Sequence, residues 1–174
     1  MTMPLIQTSL ALLFCLGPQA PAIHPKEAHM TALATGSFDV KLVPLTEGVR
    51  EGVWSPGRMS IDKRFKGDLE ATSQGEMLAA GTEVQGSAGY TAIEQVRGTL
   101  RGRSGTFLLQ HFAVMSRGVP GDWVVMVVPD SGTGDLKGLE GRMTILIEGG
   151  RHTYTLEYSL PGDAASPSQP TPQR

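Results

Sequence analysis

Glu94 lies between Ala92 and Val96 in a run that alternates apolar and polar residues, so a carboxylate shares a strand face with hydrocarbon. The same alternation puts Lys63 beside Ile61 and Phe65, and His111 between Leu109 and Ala113. It likewise gives Tyr90 the face of Ala88 and Ala92, and His152, Tyr154 and Tyr158 that of Leu156 and Leu160. Polar groups on apolar faces are informative, because burying them without partners costs several kcal/mol. One chemistry follows if they converge on a cavity. Glu94 and His111 then form an acid/base pair, the candidate catalytic residues, while Lys63, Tyr90, Tyr154 and Tyr158 shape and hydrogen-bond a small ligand. Burial raises the pKa of a carboxyl, and Lys63 or His111 nearby would bring it back down. The alternative is structural: a buried Lys63–Glu94 ion pair, or a satisfied network that fixes the fold.

Other candidates carry less. Ser131, within Asp130-Ser-Gly-Thr-Gly, lacks the G-x-S-x-G nucleophile elbow and reads as a turn residue. His24, His29, His111 and His152 are scattered, whereas a metal site needs three or four convergent ligands, so no metal is expected. Glycine spacing fits neither G-x-G-x-x-G nor a P-loop, and no cofactor is expected. Arg97, Arg101 and Arg103 share a wet face suited to solvent or a subunit contact, with an anion as the lesser use.

The elements that position these residues are strands. Period-2 alternation recurs over Gly36–Leu45, Arg58–Lys66, Asp68–Ala80, Ala88–Leu100, Gly105–Met115, Gly141–Glu148 and His152–Leu160. Trp123–Val128 is apolar on both faces, and its outer side needs cover from the 46–57 connection or a partner subunit. Three units share the pattern G-x-L-x-[G/A]: Gly67-Asp-Leu69-Glu-Ala71, Gly98-Thr-Leu100-Arg-Gly102 and Gly134-Asp-Leu136-Lys-Gly138. Their glycines suit tight turns and close backbone approach. About eight strands, nearly all with one wet face, hide their edges most simply by closing. The expected fold is all-β: a single closed antiparallel β-barrel of about eight strands, with a β-sandwich as the alternative. Such a barrel is either filled by side chains or just holds one small ligand.

The 174 residues suit one domain, and the 22 Gly and 12 Pro favour turn-rich β structure over a helical bundle. A net charge of −2 argues against nucleic acid as a partner. A single cysteine, Cys15, leaves no intrachain disulfide. Residues 1–33 read as a leader and linker. Leu10–Leu16 is far too short to span a bilayer, and with Ala20-Pro21-Ala22 it resembles a signal peptide and its cleavage site. The rival reading starts translation at Met30. The first makes the protein secreted or periplasmic, the second cytoplasmic. Residues 34–160 form the barrel, and 161–174 a disordered tail rich in Pro and Ser.

Four runs resemble one known family: Lys63-Arg-Phe65-Lys-Gly67-Asp-Leu69-Glu, Gly86-Ser-Ala-Gly-Tyr90-Thr-Ala-Ile-Glu94, Gly102-Arg-Ser-Gly-Thr-Phe107-Leu-Leu-Gln110-His111 and Val128-Pro-Asp130-Ser-Gly-Thr-Gly134-Asp-Leu136. It is a family of small bacterial proteins known as a domain of unknown function and grouped with the allene oxide cyclase-like barrels. The resemblance covers roughly residues 34–160, and implies a closed eight-stranded antiparallel barrel that forms homo-oligomers. Gly132-Thr-Gly134-Asp-Leu136-Lys-Gly138 resembles, more distantly, a turn of dirigent proteins. The family supplies a fold and no reaction, and no catalytic residue of the plant cyclase matches a motif here. Three functions stay open: a binder of a small apolar or aromatic metabolite, an isomerase or cyclase acting on one, and a filled structural barrel.

Overall fold

The structure is a computed structural model that describes residues 31–45 and 54–161. Residues 1–30 of the expected leader and linker, with Cys15, His24, His29 and the signal-peptide motif, and the expected tail beyond residue 161 lie outside the described residues. Eight strands follow in order: β1 (Ala32–Leu45), β2 (Gly57–Gly67), β3 (Leu69–Gly81), β4 (Ala88–Leu100), β5 (Arg103–Ser116), β6 (Val119–Val127), β7 (Glu140–Glu148) and β8 (Arg151–Ser159). Each pairs antiparallel with the next, and β1 pairs with β8, so the sheet closes into a barrel and not a sandwich. No helix among the described residues is long and apolar enough to cross a membrane.

Two-residue hairpins make three of the reversals. Arg101-Gly102, Arg117-Gly118 and Gly149-Gly150 all have positive φ, the backbone that matches the twist of paired strands. Two strands begin before their alternation becomes visible. β1 starts at Ala32, because Ala32–Thr35 continues the ladder opposite Thr155–Tyr158 and buries Ala34 completely. β6 starts at Val119, where Val119 and Pro120 pair with Ser116 and Met115 across a register shift. That irregularity breaks the alternation a sequence can display.

The two ends of the barrel differ. The leucines of the repeated motif, Leu69, Leu100 and Leu136, all come to the end that carries the β2–β3, β4–β5 and β6–β7 connections, and all are fully buried. The β6–β7 connection forms a 3-10 turn at Gly134–Leu136 and drops Leu136 and Leu139 into the bore as a plug, packed with Leu156, Leu160 and Phe107. Ser131 fixes this connection. Its Oγ accepts from the Leu108 N–H at 3.0 Å and donates to the Val128 carbonyl at 2.6 Å. The Thr133 N–H in turn donates to the Thr106 carbonyl at 2.8 Å. These bonds satisfy an edge of β5 that β6 does not reach, which matters because β6 and β7 share a single ladder pair, Met126 with Arg142.

Removing a plug leucine leaves a cavity that its rigid neighbours cannot fill. Leu136→Ala is expected to lower the unfolding free energy by about 2–5 kcal/mol in urea denaturation. Leu146→Ala, on a side chain 54% exposed, should stay within about 0.5 kcal/mol. Similar effects at both positions would show that the plug does not hold that end closed.

Candidate functional site

At mid-height the inward faces of four successive strands turn polar. β2 contributes Lys63, β3 Ser73, β4 Glu94 and β5 His111, all buried. The ladders set their offsets: Lys63 lies opposite Ser73, Glu94 opposite Gly75, and His111 opposite Ala92. Ser73 and His111 therefore flank Glu94 diagonally, within side-chain reach. Gly75 is required where it stands, since a Cβ there would fall 2.6 Å from the Glu94 Cβ.

Glu94 has no exposed side-chain surface, yet both oxygens are engaged. Oε1 accepts from Lys63 Nζ at 2.6 Å and Oε2 from Ser73 Oγ at 2.5 Å. Burial alone would raise its pKa. The imidazole of His111, the Lys63 charge and the bonds from Lys63 and Ser73 together outweigh burial and hold it at about 2. Glu94 is thus a fixed anion at neutral pH. The Lys63 ammonium also faces the rings of Phe38 and Phe65, 5.2 and 6.0 Å from their centroids, a favourable setting for a buried cation. His111 is placed more loosely. Its Nε2 lies 3.5 Å from Glu94 Oε1, too far for a well-formed hydrogen bond, and this buried atom has no hydrogen-bond partner.

On the side away from the plug the bore is hollow. A cavity of about 410 Å³ is walled by Val40, Leu42, Ile61, Met77, Ala113, Met115, Trp123, Ile145 and Ile147, among others. The ionisable side chains that line it are Lys63, Tyr90, His111 and His152, while Glu94 does not. Depressions of similar size on the outer wall, such as that between Asp39, Lys41, Asp62 and Arg64, are grooves between charged surface side chains and enclose nothing.

Tyr90 and His111 meet edge to face with ring centroids 5.7 Å apart, and the Tyr90 hydroxyl stands 3.4 Å from His111 Nδ1. Burial raises the Tyr90 pKa, and the Glu94 charge adds to the rise. The Trp123 side chain, on the same cavity wall, opposes both without reversing them. The phenol therefore keeps its proton at neutral pH.

Of the residues singled out in the sequence, Glu94, Lys63, His111 and Tyr90 come together here. Tyr154 and Tyr158 point inward but sit in the packed half, away from the cavity. The Tyr154 hydroxyl accepts from the Leu69 N–H at 2.9 Å, donates to the Lys66 carbonyl at 3.4 Å, and packs its ring edge-on to Phe65. Arg101 turns to Asp68, 3.4 Å away, and so serves a connection at the plugged end. Two residues, Ser73 and Trp123, joined the site without being singled out, whereas the alternation already places His152 on an inward face with Tyr154. Ser73 carried the same signal as Glu94, a polar side chain in an apolar register. His152 lines the wall and stacks on Phe38 at 5.0 Å. Trp123 was obscured by a strand apolar on both faces.

Plug, charged middle and hollow mouth define a small closed antiparallel barrel with one filled and one open half. Residues 34–158 match the family described as protein of unknown function (DUF3224), and the chain belongs to that family. It is similar to a solved structure, a protein with unknown function from the DUF3224 family from Shewanella oneidensis MR-1. The two are 51% identical with a TM-score of 0.67, over 74% of this chain and 97% of that one. No curated protein matches the chain.

Glu94→Gln leaves the Lys63 charge buried without its counter-ion and is expected to destabilise the barrel by about 3–5 kcal/mol at neutral pH. Because folding lowers the Glu94 pKa from 4.5 to about 2, its contribution is complete above pH 4.5 and is lost as the pH falls toward 2. The gap between wild type and Glu94→Gln should narrow over that window in acid-range denaturation curves. A gap independent of pH would place the stabilisation elsewhere. Tyr154→Phe should cost about 1–3 kcal/mol by orphaning the Leu69 N–H. It should leave any binding in the hollow half unchanged, as titration calorimetry would show.

Proposed function

We propose that this barrel is a binding protein that holds a small apolar or aromatic metabolite in its hollow half. The observation that carries this reading is the hollow itself: an apolar-walled cavity of about 410 Å³ that ends on a polar floor. Pockets for drug-sized ligands have this volume and this balance of wall and polar groups. The packed half argues against a mere failure to fill space, since the same chain closes its other end completely.

An isomerase or cyclase acting on such a ligand is the second reading, supported by the sequence of groups behind Tyr90. The phenol contacts the imidazole at 3.4 Å, and the imidazole lies 3.5 Å from the carboxylate. Against it, Glu94 is walled off from the cavity and held ionised, so it could act only through His111 as a positioning residue and not as an acid at the ligand. Membership of the allene oxide cyclase-like barrels fits the eight-stranded antiparallel ring, and we include it in the proposal. Self-association belongs to the same reading. Ile93 and Phe112 stand exposed on the outer faces of β4 and β5, where a second copy would cover them.

Thermal shift and native mass spectrometry against a panel of aromatic and terpenoid-sized metabolites test the reading. A ligand at a hundred times its Kd should add about 2.7 kcal/mol of stability. Ala113→Trp, which fills the cavity from its wall, should abolish that gain and leave the barrel folded by circular dichroism. A panel that shifts nothing, or a filled variant that still binds, would refute the proposal.

A further inference from the structure

The hollow half has few polar groups, and their existing partners restrict what else can join them. Lys63 is the one fixed cation lining the cavity among the described residues, and its charge is answered by Glu94 at 2.6 Å. The second oxygen of Glu94 is held by Ser73. A ligand carboxylate would enter beside an anion already in place with no cation left to match it. A ligand cation would face Lys63. Either charge would be desolvated without a counter-ion, at a cost of several kcal/mol.

Hydrogen bonding is less settled than charge. Burial keeps the Tyr90 phenol protonated at neutral pH, so it has one O–H to donate. Its nearest protein acceptor is His111 Nδ1 at 3.4 Å, well beyond the usual length of a bond from a hydroxyl. The other nitrogen of the same imidazole, on a side chain only 7% exposed, lies 3.5 Å from Glu94 Oε1 and has no hydrogen-bond partner. The floor therefore holds a neutral donor that is poorly used, beside a charge pair that is fully used.

We propose that the occupant is a neutral, largely apolar molecule bearing one hydrogen-bond acceptor, a carbonyl oxygen, that docks on the Tyr90 hydroxyl. This rests on the binding role proposed above and narrows it to a chemical class. The ring system lies against Trp123, Met77 and Ile145, and the carbonyl points down the bore. A wholly apolar ligand would leave the phenol with its long contact to His111. A carbonyl oxygen at ordinary hydrogen-bond distance replaces that contact with a better one.

Three probes of nearly one shape separate the possibilities: 2-acetylnaphthalene, 2-ethylnaphthalene and 2-naphthoate. Binding is read by quenching of Trp123 in a Trp54→Phe background, at about pH 8, where the naphthoate probe is fully ionised. Wild type should bind the ketone at least about tenfold tighter than the carboxylate. Tyr90→Phe should weaken the ketone about tenfold and change the ethyl compound by less than about twofold. The inference fails if the carboxylate binds as tightly as the ketone, or if Tyr90→Phe affects ketone and hydrocarbon alike. Equal binding of all three would leave the binding role standing and remove only the preference for a carbonyl. If none of the three binds or raises the melting temperature, both proposals fall together.

Discussion

Closing an eight-stranded sheet satisfies its edges, and it also sends alternate side chains of every strand into one narrow bore. The rest of this structure depends on that constraint. Whatever the inward register carries must be packed, paired or left facing a void, because no second face exists to receive it. The chain uses all three outcomes in order along the barrel axis: leucines and aromatics at one end, the Lys63–Glu94–Ser73 cluster at mid-height, and an apolar hollow beyond.

The charged middle layer is the costliest part of this arrangement to build. Two opposite charges are taken from water, and their attraction repays that desolvation only with good geometry and further hydrogen bonds. Both are present: contacts of 2.6 and 2.5 Å on the two carboxylate oxygens, and two aromatic faces around the ammonium. Well-packed hydrocarbon would close the bore at that height with less risk. What the ion pair adds is a floor with a definite electrostatic character, on which Tyr90 and His111 are arranged with slack in their own bonds.

Much of this was legible from alternation alone. Period 2 located the strands, and a carboxylate between Ala92 and Val96 could only point inward among apolar neighbours. Contact between Lys63 and Glu94 was legible as a possibility, since both sat in inward registers, but it is the ladder offset of β2, β3 and β4 that makes it a bond. Height along the barrel axis was not legible. Tyr90 and Tyr154 look alike in the sequence, each a tyrosine on an apolar face, yet one lines the hollow and the other is tied to the backbone of Leu69. Alternation reports the side of the sheet and is silent about depth, because depth depends on the stagger accumulated around the ring. The early start of β6 was hidden for a related reason, since an irregular register has no period to read.

The closing ladder has a topological corollary. Ala32 pairs with Tyr158, so the first and last strands lie side by side and the points where the polypeptide enters and leaves the domain are neighbours at one rim. A short covalent bridge between those points would make the backbone a continuous loop. New termini could then be opened at another hairpin, such as Gly149-Gly150 on the opposite rim, with every ladder preserved. The cyclic order of the strands, and not the place where the polypeptide happens to be cut, is what defines this architecture.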